Sequence, residues 1–194
     1  MGRVVYDVPV VVQAANPICW VACMAMVASE RKQASVGVGA FANGFDPSFA
    51  SIPNPAGIDY EKFKRLLKAS GFTSTSSPDP ARLDWDKATR LVTGDMDVIA
   101  EDIETLLRTK GPFILTHLCA GFPYGPKWGA LTEGVHAVVI TGCDSAINGG
   151  TCWMNNPWGD KDQPILTFYL IKAIKAWFPW ASSCPNIAYW DPPK

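Results

Sequence analysis

The stretch QAANPICWVACMAMV at residues 13–27 constrains this chain more than any other. It reads as the start of a helix that the fold has to bury. Asn16 suits the N-cap, where its side-chain oxygen takes a free backbone N–H, and Pro17 suits the first helical position because its missing N–H would have no partner there. Cys19 then falls near the third helical position. That end of a helix carries partial positive charge, which favours a thiolate over a thiol and makes Cys19 a candidate nucleophile. Ile18, Val21, Ala22, Ala25, Met26 and Ala28 leave almost no polar face, so the helix is expected to be buried on all sides and to serve as a rigid mount.

Composition supports a tightly folded body around that helix. Charged residues are 18% of the 194 and apolar residues 48%, against a usual charged share of roughly 25%. The length fits one domain, or two packed lobes sharing a cleft. A formal charge of -1 with no Lys/Arg cluster argues against a nucleic-acid partner. The longest uncharged stretch, residues 8–29, is interrupted by Pro9, Gln13, Asn16 and Pro17, so no membrane span is expected. Asp7 and Pro9 break the short apolar run near the N-terminus and the cleavage pattern is weak, so no signal peptide is evident and the chain reads as mature protein. The six cysteines, Cys19, Cys23, Cys119, Cys143, Cys152 and Cys184, would allow three disulfides. Cys19 and Cys23 lie four apart on one helix, however, and Cys119, Cys143 and Cys152 lie in or beside strand-like runs. Most therefore read as small buried hydrophobes, and the redox compartment stays open.

Residues 4–12 are rich in β-formers and suit an extended arm leading to the first helix. Residues 35–57 are dominated by Gly, Ala, Ser, Asn and Pro, with Phe41, Phe45 and Phe49 spaced for one face of a short helix or for the rim of a cleft. DYEKFKRLLKAS at residues 59–70 is an amphipathic surface helix stopped by Gly71, and residues 97–109 form a second one stopped by Gly111 and Pro112. Between them residues 72–96 have poor periodicity and read as a surface segment. Strands are expected at residues 113–118, 136–143 and 151–155, the last two forming a hairpin turned at Asn148-Gly149-Gly150. A strand at 164–167, a helix over 168–178 and a last strand in NIAYW at 186–190 complete the chain. Helices first and antiparallel strands second make an α+β layout.

Nucleophilic acyl transfer needs a thiolate, an imidazole base, a group that orients the imidazole and donors for the oxyanion. Only two histidines compete for the second role. His136 opens the HAVVI strand directly after a Gly-rich loop, where a side chain can face a cleft while its strand anchors in the core. His117 shares its strand face with Phe113 and Leu115, which points it at the core. His136 is the preferred base and His117 the alternative.

QAANPICWVA at 13–22, HAVVITG at 136–142 and NPWG at 156–159 resemble, in that chain order, the papain-like cysteine peptidases. The resemblance implies a papain-like fold in one catalytic domain over 1–194, with a helical lobe at about 14–110 carrying the nucleophile. A β-rich lobe at about 111–194, joined by the N-terminal arm, would carry His and Asn. It implies Cys19 as nucleophile, His136 as base and Asn156 as the residue that orients the ring. Gln13 and the Cys19 backbone N–H become the oxyanion donors, Trp20 the partner in the Cys-Trp pair, and Trp158 the indole shielding the His–Asn hydrogen bond. Asn155 is the runner-up for the orienting role. The nucleophile lacks the C-G-S-C-W context of plant and lysosomal members, and the chain looks more like compact bacterial effector and toxin-type members. That likeness implies a protein or peptide substrate, a secreted or delivered domain, and a cognate inhibitor or immunity protein as partner. No cofactor or metal is implied.

Trp128, in the loop before His136, is a candidate cleft residue, while Asp144 and Asp160 read as turn formers. The same thiol and imidazole would also serve an amidase, isopeptidase, peptidoglycan hydrolase, deamidase or transamidase. A non-catalytic binding module on the same scaffold is a further alternative. A metal site drawing on Cys119, Cys143, Cys152 and one histidine is disfavoured by the absence of any usual ligand spacing.

Overall fold

The computed structural model describes residues 2–13, 18–32, 35–45, 60–75, 96–119, 122, 134–147, 149–177 and 187–190. Its centre is an antiparallel sheet of seven strands: β1 (Val4–Val5), β2 (Phe72–Thr75), β3 (Phe113–Leu118), β4 (Val135–Asp144), β5 (Thr151–Asn156), β6 (Asp160–Leu166) and β7 (Ile187–Trp190). The order across it is β2-β7-β3-β4-β5-β6. β1 pairs with Gly142 and Cys143 of β4, just past Ile140, where β3 has ended, so the arm takes over the neighbouring position from β3. The α+β layout read from the sequence is the one observed.

Strand alternation divides the core in two. Ile114, Ala137, Val139 and Ala188 face helix α1 (Cys19–Lys32), and Leu66 and Leu67 of α3 (Tyr60–Ala69) join the same cluster together with Phe41 and Ala42 of α2 (Val38–Asn43). Phe113, Leu115, Val138, Ile140 and Met154 face the opposite side. There they meet Ala100, Ile103 and Leu107 of α4 (Met96–Lys110) and Leu170 of α5 (Thr167–Trp177). Every α1 residue from Cys19 to Ser29 is buried, as an apolar helix without a polar face must be. The short α2 matches a stretch whose glycines disfavour a longer helix, and Phe41 meets Phe45 edge-on at 5.2 Å. The segment expected to run over the surface after Gly71 begins instead with β2. Phe72 there opposes Trp190 and stacks with it at 6.3 Å, because β7 offered an unpaired edge and an aromatic neighbour that local periodicity does not register.

The arm and α4 are fastened by one buried carboxylate. Glu104 Oε1 accepts from the Gly2 N–H at 3.0 Å and from Arg108 Nε and Nη2 at 3.0 and 2.9 Å, and its Oε2 accepts from Ser145 Oγ at 2.8 Å. Although burial by itself raises a carboxyl pKa, the donors from Ser145, Arg108 and Gly2 bring this one below its ordinary value. The Tyr6 hydroxyl adds a bond to Leu107 O at 2.9 Å.

Candidate active site

Cys19 is the first residue of α1, two positions nearer the end than the sequence pattern implies. The first helical bond runs from Ala22 N–H to Ile18 O at 3.1 Å, so the helix itself supplies no acceptor for the N–H of Cys19. Asn16 and Pro17, the expected cap and first helical residue, lie outside the described residues. Cys19 is 4% exposed, and its sulfur receives backbone N–H bonds from Ala137, Trp20 and Cys19 itself. Burial outweighs these donors and pushes the thiol up to about 11. Ala137 directly follows His136 on β4, so its amide brings the helix start against the start of that strand.

His136 is 3% exposed and bonds through Nε2 to Asn156 Oδ1 at 3.0 Å. The Trp158 backbone N–H also donates to Oδ1, at 3.1 Å, which fixes the amide with its oxygen toward the ring. Nε2 must then carry the proton, leaving Nδ1 as the basic nitrogen of the neutral ring. The Trp158 indole stacks on the imidazole at 4.0 Å with 21° between the planes. Burial lowers the imidazole to about 4, against a smaller upward pull from Asn156. Asn156 Nδ2 is buried without a partner.

The two adjacent asparagines point to different tasks. Asn155 donates through Nδ2 to Val8 O at 2.7 Å and accepts at Oδ1 from the Asp162 N–H at 2.8 Å. It therefore clamps the arm to β6, and supports Asp162 in its left-handed conformation at φ 52°. Asn156, the next residue along the strand, faces His136. Its carbonyl accepts from the Gly159 N–H at 2.9 Å, and Gly159 closes the NPWG turn at φ 113°.

Gln13 is half-buried, and its N–H donates to Pro157 O at 2.9 Å, which lays the residue beside the NPWG turn. Trp20 is wholly buried behind the helix start. Trp128 lies outside the described residues. Asp144 accepts the Ala146 N–H at 3.0 Å, as a turn former would, and Asp160 begins β6.

His117, the alternative base, lies directly against His136. It is the direct cross-strand partner of His136, with ring centroids 6.3 Å apart and planes at 89°. Phe122 stacks on it at 3.9 Å, and Nδ1 lies 2.9 Å from Leu118 O, so Nδ1 carries the proton. Burial drops it to about 3, which keeps the ring neutral beside His136. The pairing of β3 with β4 was the signal available, since it places both histidines in one register. Among the described residues no three His, Cys, Asp or Glu side chains gather as a metal site. No described helix is long and apolar enough to cross a membrane.

A family model described as papain-like cysteine protease AvrRpt2 matches residues 3–173. The chain belongs to that family. It is a papain-like cysteine protease, related to bacterial effector-type members. A solved structure assigned to the C39-like peptidases, from Bacillus anthracis, matches with a TM-score of 0.56 and 17% identity over 100% of both chains, a likeness of fold. No curated protein matches the sequence significantly.

Proposed function

We propose that the chain is an endopeptidase in which Cys19 attacks a peptide carbonyl and His136 exchanges the proton. Asn156 aims the ring through Nε2 and leaves Nδ1 to take the thiol proton. Burial holds each group uncharged when considered alone, yet moving the proton from sulfur to ring makes both charges together, so each offsets the other's loss of water. Gln13 and the Cys19 N–H stabilise the oxyanion, His136 protonates the leaving amine, and water releases the acyl group from the thioester. Trp158 covers one face of the ring and keeps water from its bond to Asn156. The observation that supports this reading most is the His136 Nε2 to Asn156 Oδ1 bond, set beside a cysteine at a helix start whose sulfur accepts from the Ala137 amide.

The substrate on this reading is a protein or peptide, the domain is secreted or delivered, and a cognate inhibitor or immunity protein would cover the same cleft. The test is timed iodoacetamide labelling across pH with mapping of the labelled residue, followed by hydrolysis of casein with detection of new N-termini. Fast labelling confined to Cys19, persisting below the ordinary thiol value of 9.0 toward about 4 and altered by His136→Ala, is expected. Slow labelling spread over several cysteines would overturn the activated nucleophile. Ammonia release without new N-termini would replace the endopeptidase with a deamidase.

A further inference from the structure

Five of the cysteines lie in described segments, all buried and none bridged, and one pair among them stands apart. Cys143 of β4 and Cys152 of β5 are direct register partners on adjacent antiparallel strands, so their side chains share a face. Opposed residues in such strands have Cα atoms about 4.5–5.5 Å apart, inside the span of about 4.4–6.8 Å that a disulfide bridges. Bridging requires the β-carbons to approach by roughly 0.7–1.7 Å. Cys19 and Cys23, by contrast, are successive-turn neighbours on one helix.

The pair is also joined by hydrogen bonds. Cys143 donates to Ala100 O at 3.4 Å, Cys152 lies 3.6 Å from Thr167 Oγ1, and the two thiols are hydrogen-bonded to each other. Both sulfurs are at 0% exposure, covered by α4 through Ala100 and by the start of α5 at Thr167.

We propose that Cys143 and Cys152 are a disulfide site, closed when the chain folds in a compartment that supplies a dithiol–disulfide oxidant. Two thiols and one external disulfide R–S–S–R give the Cys143–Cys152 bond and two R–SH, so the external disulfide is reduced as the protein is oxidised. The reaction belongs to folding. Once α4 and α5 are docked, the oxidant has no path to the sulfurs, and the bond to the Cys152 thiol together with burial holds Cys143 far above the ordinary thiol range, so the attacking thiolate does not form. The bond would join the strand that carries His136 to the strand that carries Asn156, and it leaves Cys19 as a free thiol.

The experiment is refolding of the full chain from denaturant in mixed oxidised and reduced glutathione, followed by alkylation and peptide mapping. Residues 128–160 contain no Lys or Arg, so trypsin leaves both cysteines in one peptide, whereas a protease cutting before Asp144 separates them. The expected result is a linked peptide pair two hydrogens lighter than the reduced pair, with Cys19 alkylated. The refolded protein should also lose thermal midpoint on adding reductant, and Cys143→Ala with Cys152→Ala should abolish that dependence. Recovery of both cysteines as separate alkylated peptides, or of either one linked to a different cysteine, would overturn the proposal.

Discussion

Replacing Asn156 tests the proposed mechanism most directly, because the contacts of its two side-chain ends differ so sharply. Oδ1 accepts from His136 Nε2 at 3.0 Å and from the Trp158 N–H at 3.1 Å, while Nδ2 is buried with no partner. Asn156→Ala removes an acceptor that would hold a charged imidazolium in the transition state. Such a bond is worth about 1.5–3 kcal/mol, or a loss in kcat of roughly 10- to 150-fold. It also takes this acceptor away from the buried His136 Nε2–H, at about 1–3 kcal/mol of stability, and from the half-buried Trp158 N–H at less. Asn156→Asp keeps both acceptor contacts and forfeits no bond made by Nδ2. Its carboxylate favours the charged ring and raises His136 from about 4, so the acidic limb of the rate profile moves to higher pH. Iodoacetamide labelling of Cys19 and casein hydrolysis, each followed across pH with unfolding curves for both variants, would measure these effects. A folded Asn156→Ala protein with unchanged labelling and turnover would refute the orienting role. An Asn156→Asp protein as inactive as Cys19→Ala would refute the argument from the unpartnered Nδ2.

Three further outcomes follow from the same geometry. His117 and His136 bind protons more weakly folded than unfolded, so stability contributed by their neutral forms should fall as pH drops from 6.5 toward 4; in urea titrations His117→Phe should flatten that slope, and an equal slope would refute it. Asn155→Ala loses the bonds to Val8 and Asp162 and should cost about 2 kcal/mol in denaturant unfolding while reducing Cys19 labelling less than Asn156→Ala does. Gly150→Ala places a β-carbon 2.4 Å from Ala100 Cβ and 2.5 Å from Thr167 Oγ1 at φ +92°, so its thermal midpoint should fall by the equivalent of about 2–4 kcal/mol.

How much of the fold is legible in the sequence depends on how local its cause is. The buried helix, the amphipathic α3 and α4 and the strand at 113–118 carry their own periodicity and stop signals, and Gly71 and Gly111 do adopt φ of 78°. β2 has four residues and no such signal; it exists because β7 pairs with it. The start of α1 was shifted because capping residues suggest a boundary that hydrogen-bond geometry then sets. At the site, the resemblance prefers His136 over His117 and Asn156 over Asn155, but what Asn155 does instead, bonding to Val8 O and to the Asp162 N–H, depends on the position of the arm, which the motif does not contain. His117 was correctly placed on a core-facing strand surface, yet its neighbour there is His136, a relation fixed only by register between strands seventeen residues apart.

The arm explains why residues so far apart in sequence meet at one place. Tyr6 N–H bonds to Thr141 O at 2.9 Å, Val8 O accepts from Asn155, and Gln13 N–H bonds to Pro157 O. These contacts step from β4 to β5 and then to the turn beyond β5, and the chain enters α1 only a few residues later. The position of Cys19 is thus tied to the strands that carry His136 and Asn156 from two directions: by the arm that precedes it and by the Ala137 amide at its sulfur. A disturbance of the arm therefore reaches Cys19 without touching it. Shortening the residues between Val8 and Gln13 should slow Cys19 labelling even where the core under α1 stays intact.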